Sequence, residues 1–162
     1  MADHGTSLIR FKRAFIDLLD AQTTEKVSYQ SPQQAKDVLG ESGSGIAAWF
    51  SDEATANHSV MVFKGAPHWI DEVANPVLRI QAVGPNTDSD QEDVDASASA
   101  LLYKAIAVLA ADPSVGLVDD TIQEFEALPA GLTYSGGLFG ADQRGARFEL
   151  AIEVSARLKL TL

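Results

Sequence analysis

Pro76-Val77-Leu78-Arg79-Ile80-Gln81-Ala82-Val83-Gly84 opens the stretch that decides the fold, which runs on to Asp112-Pro113. Its first part reads as a strand. An acidic cap follows, and then one long helix, expected over about 89–112. Val94, Ala98, Leu101, Leu102, Ala105, Ile106 and Leu109 recur at helical spacing and form its core stripe. Ser89 followed by Glu92 matches a capping box, in which hydroxyl and carboxylate satisfy orphan N–H groups. Asp88, Asp90, Glu92, Asp93 and Asp95 crowd the end where the helix dipole favours negative charge. The opposite side of the helix carries Ala96, Ala100, Tyr103, Ala107 and Ala110, where a wet helix would carry charges. Either this is plain surface built from a good helix former, or the face packs on another element or another subunit, with Tyr103 at its centre.

Toward the N-terminus, a first helix is expected over about 7–21. Leu8, Phe11, Phe15, Leu18 and Leu19 recur on one stripe, widened by Ile9 and Ile16, with Arg10, Arg13, Asp17 and Asp20 opposite. Lys12 falls inside the apolar arc, where its stem can snorkel or its charge can meet a neighbouring subunit. Lys26 to Ser31 reads as a short strand stopped by Pro32. A flexible Gly40 to Gly45 loop follows, then strand candidates at Ile46 to Ser51, His58 to Phe63 and His68 to Val73.

Toward the C-terminus, Thr121 to Leu128 is ambiguous between strand and helix. Gly136, Gly137, Gly140 and Gly145 are expected to mark a mobile loop. Phe148, Leu150, Ile152, Val154, Ala156, Leu158 and Leu160 then alternate with mostly polar residues. Residues 147–162 would extend about 50 Å at ~3.3 Å per residue, beyond a typical strand of ~17–20 Å. Such a strand bends near Ser155-Ala156, or carries Leu158, Leu160 and Leu162 onto a neighbour, or stays within the subunit as a long twisted edge. Together these elements predict one α+β domain over 1–162. Its sheet is mixed and mostly antiparallel, with about 4–6 strands and two main helices on one face.

The chain has 162 residues, 46% of them hydrophobic, no cysteine and a formal net charge of −11. Its length allows burial of roughly 70% of the unfolded surface. A thiol site or disulfide framework is excluded. The acidity disfavours nucleic acid or an anionic membrane as the main partner. The first residues lack a basic and apolar leader pattern, and Ala105 to Ala111, the longest apolar run, falls short of a ~20-residue span.

Catalytic patterns are missing. Gly40-Glu41-Ser42-Gly43-Ser44 misses the nucleophile elbow at its last position. The Gly-rich segments lack the Gly-Lys-Ser/Thr ending of a phosphate loop. His68, Asp71 and Glu72, with His58, are better read as surface polar residues than as metal ligands, since a strand would turn Asp71 away from the other two. The acidic run lacks a calcium-loop pattern. Trp49 and Trp69 read as core or half-buried anchors, and an exposed Trp69 would suit an interface. The expectation is a protein with no enzyme activity, cofactor or metal.

The order of pieces resembles the tail terminator proteins of long, non-contractile-tailed bacteriophages, also called tail completion or minor tail proteins. The helix Leu8 to Leu19 runs into a short strand ending Tyr29-Gln30-Ser31-Pro32. Val77-Leu78-Arg79-Ile80-Gln81-Ala82-Val83 leads into an acidic, Ala-rich helix with Ala100-Leu101-Leu102-Tyr103-Lys104-Ala105-Ile106 at its centre. The Gly-rich segment and the alternating strand Arg147 to Leu162 complete it. The resemblance implies a homo-oligomer, a hexameric ring that caps the tail tube at its final length. It implies contacts with the tube protein and the head-to-tail connector, passage of DNA without specific binding, and no membrane. The place implied is the head-proximal end of the virion tail, reached from the host cytoplasm. Interface candidates are Lys12, Trp69, Tyr103, Leu158, Leu160 and Leu162. The alternative is a small-molecule-binding or regulatory α+β module without catalysis.

Overall fold

Phenylalanines at helical spacing meet phenylalanines at strand spacing, and the core forms where they cross. The computed structural model describes residues 7–31, 45–52, 54–61, 68–85, 90–138 and 143–160. The Gly40 to Ser44 part of the glycine loop with Ser42, Asp88, the Ser89 cap, Gly140 and Leu162 lie outside the described residues. Helix α1 (Ser7–Asp20) buries Phe11, Phe15, Ile16 and Leu19. Phe11 sits 5.9 Å from Phe50 and from Phe125, and Phe15 sits 5.8 Å from Phe50. Leu18 and Ile9, placed on the stripe by their spacing, are exposed. The stripe is narrower than the apolar residues are numerous, because the sheet beneath offers one contact line.

Among the described residues seven strands follow: β1 (Lys26–Ser28), β2 (Gly45–Phe50), β3 (Ala56–Met61), β4 (His68–Ala74), β5 (Val77–Pro85), β6 (Ile122–Leu138) and β7 (Gln143–Leu160). Helix α2 (Asp90–Ala111) stands between β5 and β6. The sheet order is β1-β2-β5-β7-β4-β3, with β6 on the other edge of β7. Of the described strand pairs, β1 and β2 alone run parallel. The fold is thus the expected α+β arrangement with a mixed, mostly antiparallel sheet. The strand beyond the expected range is accounted for by β6, whose alternation is interrupted by irregularities between Ile122 and Glu124 and between Pro129 and Gly131.

The last strand is the middle of the sheet. β5 pairs with residues 143–151 and β4 with residues 154–160 along one edge of β7. β6 pairs along the other edge, from Leu158 to Arg144. Leu158 therefore has strand partners on both sides, Ile70 and Ile122. Through Leu160 the backbone neither lies at an edge nor runs onto a neighbour, which corrects both of those expectations. Nor does β7 break near Ser155-Ala156. The irregularities fall on its neighbours: one in β6 beside Arg157 and Leu158, and two, at Asn75-Pro76 and at Ala130, level with Ala151 and Ile152. At that level Pro76 accepts the N–H of Ile152 at 3.0 Å.

The glycine segment is also corrected. Gly136 faces Ala146 and Gly137 faces Gly145, so three of the four glycines extend a hairpin. Helix α2 lays Val94, Ala98, Leu101, Leu102, Ala105 and Leu109 on the same face of the sheet as α1, with Ile106 partly buried beside them. From Gln91 to Ala111 it has the length and mean hydropathy, 1.5, to cross a bilayer, much of it from alanine. Its core stripe is nonetheless committed to the sheet.

Candidate functional site

Glu72 is the polar residue that sequence reading misplaced. Even-numbered residues of β4 face the helices, and Glu72 is 1% exposed. Its Oε1 accepts a hydrogen bond from the Ser7 hydroxyl and another, 3.0 Å long, from the Leu8 N–H. A carboxylate at the first turn of α1 satisfies orphan donors and meets the positive end of the dipole. Asp71 points to the other face, as the strand period requires, where Arg157 donates to it at 2.8 and 3.3 Å. That hydrogen bond holds the Asp71 carboxyl below its ordinary range. Arg79 with Glu149 at 3.2 Å and Arg147 with Gln81 at 2.9 Å continue this cross-strand polar ladder on the face away from the helices. Trp49 shares that register yet is 6% exposed. Among the described residues no group of three His, Asp or Glu side chains is placed to hold a metal ion.

The interface candidates do not converge. The Lys12 ammonium stands 4.5 Å from the Tyr29 ring centroid and 5.5 Å from that of Phe50. Burial lowers its pKa, against the charge of Asp52. Its apolar position on α1 is thus filled by a cation lying on aromatic faces. Trp69 is half-buried on β4 opposite Met61 and Lys159. Leu158 packs against the core, and Leu160 lies in β7 opposite His68. Tyr103 is 68% exposed, and Ala96, Ala100, Ala107 and Ala110 are exposed with it. No described element of the subunit covers the alanine face of α2.

A second surface beside that face escaped the sequence reading. Leu132 and Tyr134 face Leu150 and Phe148 across the β6–β7 ladder, so with Leu138 they lie on the helix-covered side. The helices stop short of them, and Leu132 is 51% and Leu138 59% exposed. Tyr134 bridges the gap. Its ring lies 5.1 Å from Phe148, and its hydroxyl donates to Asp95 on α2 at 2.7 Å. Gln91 donates to the same Asp95 oxygen at 2.9 Å and to the Gly145 carbonyl at 3.1 Å. The hydrogen bond to Asp95 raises the Tyr134 pKa. So Asp95 is a structural acceptor rather than one more free charge, while Glu92 and Asp93 are exposed. Tyr134 reaches Asp95 by lying across Gly136, where an added Cβ would collide with the Tyr134 hydroxyl. The signal in sequence was the alternation Leu132, Tyr134, Gly136, Leu138, which reads as loop when the glycines are weighed alone.

A groove of about 460 Å³ separates the ends of α1 and α2, lined chiefly by Leu18, Ala107, Val108, Ala111 and Val115. Beyond it, Asp112 accepts hydrogen bonds from Ser114 and Gly116 and holds a tight turn in which Val115 takes a φ of 43°. Comparison with protein-family models and with curated proteins gives no match to this chain.

Proposed function

We propose that this chain is a structural subunit of a phage tail, of the terminator type: a ring-forming protein, six copies to the ring, that caps the tail tube. In this reading it stops further tube addition and gives the head-to-tail connector its docking surface. The observation that carries it is the bare flank formed by α2 and the end of the β6–β7 hairpin. Ala96, Ala100, Tyr103, Ala107 and Ala110 are exposed along α2, Ala96 lies beside Tyr134 of β6, and Leu132 and Leu138 are exposed on the same strand, on a molecule of net charge −11. An exposed apolar patch of this kind marks a contact surface, and a ring subunit needs such a surface rather than a catalytic cleft. Six copies would carry about −66, six times −11, a charge that repels DNA and suits a conduit through which it slides. The chain then acts in the virion, at the head-proximal end of the tail, after assembly in the host cytoplasm.

The test is the particle mass together with tail completion in an assembly extract, for the native chain and for Tyr103→Glu. At 68% exposure Tyr103 can take a charge with a stability change within ~0.5 kcal/mol. In a packed ring contact the same unpaired charge costs several kcal/mol. Normal folding with loss of ring and of capping is the expected result. Unimpaired capping by Tyr103→Glu would move the ring contact away from α2. One observation favours a second reading, a ligand-binding module: the apolar groove between α1 and α2. Thermal shift with small apolar compounds, lost in Ala107→Trp, would support it.

A further inference from the structure

The outer edge of β6 is guarded along only half its length. Its first half is capped, since Ala127 gives its N–H to the Pro113 carbonyl at 2.8 Å. Pro129 and the irregularity at Ala130 come next. A proline, a bulge and a covering turn are the ordinary devices that stop an edge from pairing. From Leu132 to Leu138 there is none of them among the described residues, and no Asp, Glu, Lys or Arg. Among the described residues, β6 pairs with β7 alone.

The direction of the free backbone groups follows from the ladder. Ile152 gives its N–H to Pro76 on the β5 side, and Lys159 gives its own to Thr121 on the β6 side. Even-numbered residues of β7 therefore bond toward β4 and β5, and odd-numbered ones toward β6. Thr133, Ser135 and Gly137 face Glu149, Arg147 and Gly145, so they are the β6 residues that bond to β7. Leu132, Tyr134, Gly136 and Leu138 turn their N–H and C=O groups outward.

We infer that two copies of this chain pair edge to edge through residues 132–138 of β6, antiparallel, about a twofold axis at Ser135. The outward residues are spaced symmetrically about that position. Leu132 meets the copy's Leu138 and Tyr134 meets its Gly136, with about eight backbone hydrogen bonds. Every outward group of the segment gains a partner. The occupant is a strand because only an extended backbone satisfies that row of donors and acceptors. It is a second copy because the segment is self-complementary in register and free of charge on a chain otherwise strongly acidic, so like charge along the edge does not oppose the approach. The guarded half, ending at the irregularity at Ala130, lies outside the paired residues. The inference concerns the free protein and does not rest on the ring reading.

The absence of cysteine from the chain makes the test clean. In this register the two Ser135 Cα atoms lie about 4.5 Å apart, as a pair without mutual hydrogen bonds does, within the roughly 4.4–6.8 Å that a disulfide spans. The two Thr133 residues lie ~13 Å apart, four residues out of step. The expected result is sedimentation of the native chain at twice its 17.3 kDa mass. Mild oxidation should link Ser135→Cys to itself and leave Thr133→Cys unlinked. Leu138→Pro, which removes one outward N–H, should sediment as a monomer with unchanged far-UV circular dichroism. If that variant fails to fold, the cysteine pair still decides. A native monomer with no Ser135→Cys link overturns the inference. So does equal linking at both positions, and so does a ring-sized particle in which Ser135→Cys stays reduced.

Discussion

Glu72 shows how one side chain joins two elements. Its carboxylate answers the Ser7 hydroxyl and the Leu8 N–H from inside the core. In Glu72→Ala the buried Ser7 hydroxyl and the part-buried Leu8 N–H both lose their acceptor. A stability loss of ~1–3 kcal/mol is expected, read as a lower urea midpoint with an unchanged slope. Arg10 and Asp119 make a second tie, at 2.7 Å, between α1 and the residues that precede β6. Asp119 also accepts the N–H groups of Thr121 and Ile122, each at 2.8 Å. The hydrogen bond from Arg10, followed by that from Ile122, pulls its pKa far below the usual carboxylate range. The folded state thus binds this proton less readily than the unfolded chain does. The tie contributes fully above the unfolded value of ~3.9, begins to weaken below it, and is fully lost only once pH falls through the far lower folded value. Thermal unfolding followed from pH 6 to pH 3 should show that loss begin, and Asp119→Asn should flatten the acid limb of the curve. Both roles were hidden in sequence. Glu72 sits in the apolar-facing register of β4, and nothing local says that a helix N-terminus lies 64 and 65 residues away in the chain to receive it.

At the scale of elements, strong period was legible and pairing was not. Both helices, the β5 strand and the alternating β7 lie where their spacing put them, because burial of one face writes itself into every second or every third and fourth residue. Alternation reports faces but says nothing about edges. Phe148 to Leu160 reads the same whether β7 is central or marginal, and it took β4, β5 and β6 to make it central. The hairpin was lost for a different reason. Gly136 and Gly137 signal a turn by composition, yet here Gly136 makes room for Tyr134 to cross over it and reach Asp95. Gly136→Val should therefore expel the Tyr134 ring, breaking its hydrogen bond and its contact with Phe148, at a cost of ~1–2 kcal/mol. The same substitution in a Tyr134→Ala background should cost clearly less. A double-mutant cycle by chemical denaturation measures the difference, and additive effects would refute the bridging role. The candidate surface was half legible. The alanine and Tyr103 face of α2 was readable, and the free edge of β6 was not, because an edge exists only once the sheet order is known.

At the scale of the whole molecule, deleting residues 157–162 removes part of the spine rather than a tail. Arg157 and Leu158 each pair on both edges of β7, and α1 packs over the same end of the sheet. The truncated chain is expected to lose its cooperative thermal transition. A folded truncation product would mean that β4 and β6 can close on each other without β7. The central place of β7 also has a consequence in time. As the chain is synthesised, β2 meets β5 and β3 meets β4, but each pair leaves an edge open, and β6 emerges with no partner at all. The strand that joins the three groups is the last of the seven to emerge. Contacts of such long sequence separation form slowly, and open edges left waiting are where newly made chains stick to one another. The nascent protein is thus a set of unsealed parts until β7 arrives, and any surface built across β6 and β7 comes into existence only at that moment.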